Sequence, residues 1–438
     1  MKIDIVGASN FVNRMFEACG RFQWAREFLR NCIEAGATKI QFGIEWQAVE
    51  LLGVYRRTVV DNGSGMDRDE LLTFFSKLGA GSKKIGGVHE NFGIGAKIAS
   101  LPWNPEGVVV ISRKDGVDSM IHIKLNDETN DYELVDFTTE DAINAVIDPS
   151  LVDWADIGQV DWSKIFPDWV SESGTAVVLL GSREYPDTIL GNPQDSENDI
   201  KGLSKYLNRR FWSLEDAQVS VVEVRQDKKT GWPESENEKD DARRKNVREI
   251  KGAAHFARDY ASERCKLGSS GSLYLDEDRV HVDWYLMEGT RPSIHMYAQR
   301  DGYIAVKYRN ELFHLTPKKV DFRRFGITEG SVTKQLTLIL EPQMLGPAER
   351  WGIHPDQSRN RLIFSGGGEK GVGLPIEDWG AMFSVNMPEE ILQAIRAAKS
   401  EITGSIDDEE YRRRLQDKFG NRWTLKKQMP LRKGNTAD

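Results

Sequence analysis

The sequence predicts an α+β protein, and three observations carry that prediction. Residues 24–35 and 199–212 place apolar side chains at helical spacing. Short β-branched runs end at Asp61, begin at Gly174 and recur at 219–224. From residue 251 to about 385, strand signals alternate with turns, and a capped amphipathic helix follows at 388–399.

The first helix places Glu27 and Asn31 on one face, one turn apart. A carboxylate can polarise a water, and an amide oxygen can ligate Mg²⁺. The same segment also reads as an ordinary amphipathic helix with a surface glutamate. Next, Thr58-Val59-Val60 leads into Asp61-Asn62-Gly63-Ser64-Gly65-Met66. Two glycines in five residues let the backbone turn tightly and approach a ligand. An aspartate ending a buried strand can accept a hydrogen bond from an exocyclic amine, although a hairpin turn of the Asp-Asn-Gly type fits the same letters.

Residues 79–87 are glycine-rich and contain Ser82, Lys83 and Lys84. They run into Asn91-Phe92-Gly93-Ile94-Gly95-Ala96-Lys97, whose tail reads as a helix start. Glycines opening a helix present backbone N–H groups to phosphate, and the glycines before them suggest a mobile lid or a flexible surface loop. Gly174-Thr175-Ala176-Val177 opens a strand, with Thr175 a polar candidate beside Asp61.

In this order and at this spacing, the four segments resemble the GHKL ATPase superfamily: gyrase-type topoisomerases, large heat-shock chaperones, histidine kinases and MutL-type repair proteins. The resemblance covers roughly residues 15–225. The stretch 26–40 looks most like the MutL and microrchidia-type branch, and Ser82-Lys83 looks like the MutL-type lid. The resemblance implies a Bergerat-type ATP-binding α/β sandwich, with ATP and Mg²⁺ as cofactors and ATP hydrolysis as the activity. It makes Glu27 the general base and Asn31 the Mg²⁺ ligand. Asp61 would read the adenine amine, supported by Thr175. Gly63, Gly65, Met66, Ser82, Lys83, Gly93, Gly95, Ala96 and Lys97 would complete the nucleotide site. Glu34 departs from the pattern, standing where the family usually has Asp.

The expected organisation is an ATP-binding domain over 1–225, a charged linker or excursion over 226–250, an α/β transducer-like domain over 251–385, and C-terminal helices with a basic tail over 386–438. Many members of the superfamily carry such a transducer, in which a basic residue reaches the γ-phosphate. Lys334 and Arg359 are the candidates here, and a solvated charged loop accounts for either equally well. A second helix is expected to begin near Asp407. Residues 411–438 hold nine lysines and arginines against Asp417 and Asp438. That tail suits a polyanion such as DNA, or packs on the acidic body of its own chain.

Composition narrows the class. The chain has 438 residues, is 39% hydrophobic and 29% charged, and carries a net charge of −9, so as a whole it is no basic nucleic-acid binder. No apolar run approaches the roughly 18 residues of a membrane span, and Asp4 and Asn10 interrupt any signal-peptide core. Three cysteines without a Cys-x-x-Cys pair, and seven histidines without zinc spacing, suit reduced thiols in the cytoplasm.

Within the superfamily two readings compete. One is an ATP-driven switch that self-associates on lid closure and acts on nucleic acid or a partner protein, in DNA maintenance or phage defence. The other is a chaperone-like ATPase acting on protein clients. The 26–40 stretch and the basic tail favour the first. A histidine kinase would need a phosphoacceptor helix, and no histidine precedes Glu27.

Overall fold

The computed structural model describes residues 8–76, 94–138, 143–153, 157–193, 202–214, 216–223, 247–260, 262, 265–277, 279–289, 298–343, 353–356, 359, 361–364 and 372–403. They form an α+β structure built on two principal sheets.

The first sheet has eight strands: β1 (Lys39–Glu45), β2 (Arg56–Asp61), β3 (Val108–Lys114), β4 (Val117–Asn126), β5 (Asp131–Leu134), β8 (Gly174–Leu179), β9 (Gln218–Val222) and β10 (Val247–Ile250). Their spatial order is β10-β9-β1-β2-β8-β3-β4-β5. The β1–β9 pair is parallel and the other neighbours are antiparallel. A small hairpin, β6 (Phe137–Thr138) and β7 (Ile143–Asn144), stands apart.

Helices α1 (Ala8–Phe16), α2 (Gln23–Glu34), α4 (Arg68–Ser76), α5 (Ile94–Ser100) and α6 (Gly202–Arg210) contribute to a core with one face of this sheet. The short α3 (Trp46–Leu52) and the Trp162 region contribute to a core on the other. Strand β3 shows why its run is apolar throughout. Val108 and Val110 join the first core, and Val109 and Ile111 the second. A strand buried on both faces loses the polar alternation of a surface strand.

Within the segment expected as a charged linker or excursion over 226–250, Val247–Ile250 forms a strand that pairs with β9 at the edge of the first sheet. Arg248 and Glu249 hide it in the sequence, because an edge strand tolerates charge.

The second sheet runs β11-β12-β15-β13-β14, from β11 (Cys265–Leu275), β12 (Val280–Gly289), β13 (Ile304–Tyr308), β14 (Glu311–Thr316) and β15 (Leu336–Pro342). Helices α7 (Lys319–Arg324), α8 (Gly330–Gln335), α9 (Ile376–Val385) and α10 (Glu389–Thr403) share a core with it through Phe322, Val332, Trp379, Phe383 and Ile391. A separate cluster joins Ala305, Leu312 and Ile339 of this sheet to Trp212 and to Ala257 of a π-helical turn, His255–Asp259. Three short strands, β16 (Ile353–Pro355), β17 (Leu362–Phe364) and β18 (Val372–Gly373), form a third sheet. The helix expected from Asp407 and the basic tail lie outside the described residues.

Candidate active site

Helix α2 organises the site. It ends in a Schellman turn: Ala37 N–H donates to Cys32 O at 3.0 Å and Gly36 N–H to Ile33 O at 2.9 Å, with Gly36 at φ +74°. That left-handed position favours a residue without Cβ. The turn carries the chain into β1 while Ala35 O accepts from Ser64 N–H at 3.0 Å, which fixes the loop after Asp61 against the end of α2. The segment 61–66 therefore links strand β2 to helix α4 and is no hairpin.

Glu27 is buried, only 2% exposed. Its Oε1 accepts from Gln23 Nε2 at 2.7 Å and from Arg26 Nη1, and its Oε2 accepts from Arg359 Nη1. Gly95 of α5 packs against the same carboxylate, and a methyl group there would collide with Glu27 Oε2. Asn31 follows one turn later on α2 and is half-buried. Glu34 faces outward and pairs with Arg30 at 2.7 Å, a surface role that its extra methylene does not disturb.

Asp61 ends β2 opposite Thr175 of β8, 5% exposed. Its carboxylate accepts from Gly63 N–H at 2.7 Å, and from the Cys32 thiol and the Thr175 amide. Burial raises its pKa to about 6 in spite of these donors. Burial and the neighbouring Asp61 push the Cys32 thiol well above its ordinary range. Gly65 adopts φ +63° and lies against the Arg113 carbonyl, where any Cβ would overlap. Ser112 of β3 accepts from Met66 N–H at 2.7 Å, and its hydroxyl lies 3.4 Å from that of Thr175.

Glu27, Asn31, Asp61, Gly63, Gly65, Met66, Gly95 and Thr175 are thus tied to α2 or to the loop its C-terminus holds. Ala96 and Lys97 follow on α5 but face inward. Lys97 Nζ donates to Phe74 O at 2.8 Å and lies over the rings of Phe74 and Phe75, at 5.6 and 5.2 Å from their centroids. Burial lowers its pKa to about 7. Lys97, expected in the nucleotide site, thus ties α5 to α4. The helical period turns residue 97 toward the core. Ser82, Lys83 and Gly93 lie outside the described residues.

The two basic candidates separate. Arg359 reaches Glu27 from a turn in which its own N–H donates to Asp356 O at 2.9 Å, with φ +54°. Lys334 sits on α8 and lines a cavity of about 360 Å³ with Met287, Arg300 and Asp301.

Sequence reasoning missed Gln23, Arg26, Ser112, Arg210 and Glu311. Gln23 carried a signal, since it lies one helical turn before Glu27. Glu311 carried none, because it sits 284 positions away in a strand that reads as ordinary.

Residues 25–150 match the family described as "Histidine kinase-, DNA gyrase B-, and HSP90-like ATPase". No curated protein sequence matches the chain. Among solved structures, the chain is similar to the 43K ATPase domain of Thermus thermophilus gyrase B in complex with an aminocoumarin. That similarity has 13% identity and a TM-score of 0.37, over 90% of this chain and 92% of that one. It is also similar to the N-terminal domain of a DNA repair protein, with 10% identity and a TM-score of 0.44, over 88% of this chain and 98% of that one. No helix among the described residues is long and apolar enough to cross a membrane.

Proposed function

We propose that this protein is an ATP-binding and ATP-hydrolysing conformational switch of the GHKL type. The observation that carries the reading is the arrangement along α2. A buried carboxylate, Glu27, faces Gly95 and Arg359, and a second buried carboxylate, Asp61, is held by the other end of the same helix. The family match over 25–150 supports it.

In this reading Glu27 orients and deprotonates the attacking water. Asp61 accepts a hydrogen bond from the adenine amine, with Thr175 and Ser112 supporting the strand ends beside it. Gly63, Gly65 and Gly95 keep space that a Cβ would fill. The residues fit a nucleotide: Asp61 is a buried acceptor at a strand end, and Gln23 Oε1 is a buried oxygen with no protein partner among the described residues. Asn31 would hold Mg²⁺, which, when bound, offsets phosphate charge. Arg359 is the cation that would meet the γ-phosphate, in preference to Lys334. Lid closure over 79–97, self-association on ATP binding, and action on nucleic acid or a partner protein complete the proposal.

The experiment is a titration of ATP and GTP into the wild type and Asp61→Asn. A hydrogen bond to a charged group contributes about 1.5–3 kcal/mol, so the variant should bind ATP at least about tenfold more weakly. The wild type should prefer ATP, because guanine carries a carbonyl at the six position. Equal binding of GTP and ATP by the wild type would contradict the adenine role of Asp61.

A further inference from the structure

Four charged residues close a ring with Glu27. Arg26 of α2 donates to Glu27 Oε1, and its Nε and Nη2 grip Glu311 of β14 at 2.8 and 2.7 Å. Arg210 of α6 donates through Nε to the same Glu311 at 3.0 Å. Through Nη2, Arg210 also donates to the backbone carbonyl of Arg359 at 2.9 Å. Arg359 then donates to Glu27 Oε2, which completes the circuit.

We infer that Glu311 is a positioning residue for hydrolysis: through Arg26 and Arg210 it sets the two arginines that hold the two oxygens of Glu27. The inference rests on the reading of Glu27 as the base.

Glu311 suits this role in three ways. It is buried, 3% exposed, and belongs to the second sheet, while Arg26 and Arg210 come from helices covering the first. Its backbone is fixed as well: residue 311 bridges Phe211, and the Asn310 carbonyl accepts from Trp212 N–H at 2.7 Å. Burial alone would raise the Glu311 pKa, yet Arg26 and Arg210 bring it down to about 2, so it remains an anion at any physiological pH. A single fixed anion therefore orients two guanidinium groups with different tasks. One acts on Glu27 directly, and the other holds the backbone of the residue that does. A nucleotide phosphate that draws Arg359 away from Glu27 would leave Arg26 in place, because its other two nitrogens stay on Glu311.

A mutant cycle tests the inference. Wild type, Glu311→Gln, Glu27→Gln and the double variant are compared for kcat of Mg-ATP hydrolysis, for affinity toward a non-hydrolysable ATP analogue, and for melting temperature. A misplacement of about 1 Å at a reacting group lowers rate on the order of 10²-fold. Glu311→Gln should therefore lose kcat on that order, well beyond any loss of analogue affinity, and Glu311→Asp should restore part of it. In the Glu27→Gln background, removing Glu311 should lower kcat no further, since the two act as one unit.

If Glu311→Gln does not fold, Glu311→Gln combined with Arg210→Gln removes one charge of each sign and is measured in its place. Unchanged kcat in the variant measured would overturn the inference. So would additive losses in the cycle, or kcat and affinity falling together with the melting temperature, which describe a brace without a role at Glu27. Wild-type turnover by Glu27→Gln alone would instead remove the base assignment, and the inference with it.

Discussion

Two carboxylates are buried in the proposed site, and the charges around them differ. Glu27 is met by two guanidinium groups, whereas Asp61 is met by an amide of its own loop, a strand amide and a thiol. For Asp61 the consequence is a linkage between pH and stability. Its pKa is about 6 in the fold against an ordinary 3.8, so the folded state binds the extra proton between those values. The stability Asp61 contributes is fully present below 3.8 and is lost as pH rises through 6. At about 1.36 kcal/mol per pKa unit, that amounts to roughly 3 kcal/mol. Unfolding free energies of wild type and Asp61→Asn, measured in denaturant at pH 4 and pH 7, should therefore diverge by about this amount in favour of the variant as pH rises. A difference independent of pH would show that the carboxylate is not desolvated as the structure places it.

At the scale of elements, α5 and α2 meet at Gly95 and Glu27 with no room for a methyl group. Gly95→Ala must shift the helix or displace the carboxylate, an overpacking that costs about 1–3 kcal/mol. Turnover should fall on the order of 10²-fold, measured as phosphate release at saturating ATP. Gly53→Ala is the control. It has φ +68° but nothing within 4 Å of its Cβ position, so it should lose some stability and leave turnover as it was. Full turnover in Gly95→Ala would mean that the close approach of α5 does not matter to the reaction.

The elements that line this contact were legible in the sequence because their signals are local. Glu27 and Asn31 share a helical face, Asp61 ends a β-branched run, and glycines mark where backbones approach. Strand β10 was hidden by its charges, and the inward turn of Lys97 was masked by a glycine-rich context that reads as a phosphate loop. Glu311 and Arg210 reach the site only through tertiary packing, and no spacing rule connects residues 26, 210 and 311. Arg359 could be named as a basic candidate but not chosen over Lys334, since both lie near strand ends of the second half. In the fold Arg359 contacts Glu27, while Lys334 lines a cavity with Met287, Arg300 and Asp301.

At the scale of the whole molecule, both halves of the chain converge on one side chain. Helix α2 of the first sheet presents Glu27, and the second half supplies Arg359 directly and Glu311 through Arg26. If nucleotide phosphate engages Arg359 as proposed, both sheets would feel it, as a switch driven by ATP requires. The account stands on Glu27 more than on any other residue. Its most direct test compares wild type and Glu27→Gln for phosphate release from Mg-ATP and for binding of ATP in the same preparations. A general base contributes about 10²–10⁴-fold, so the variant should lose that much turnover while binding ATP as the wild type does. Near-normal hydrolysis by Glu27→Gln would contradict the account.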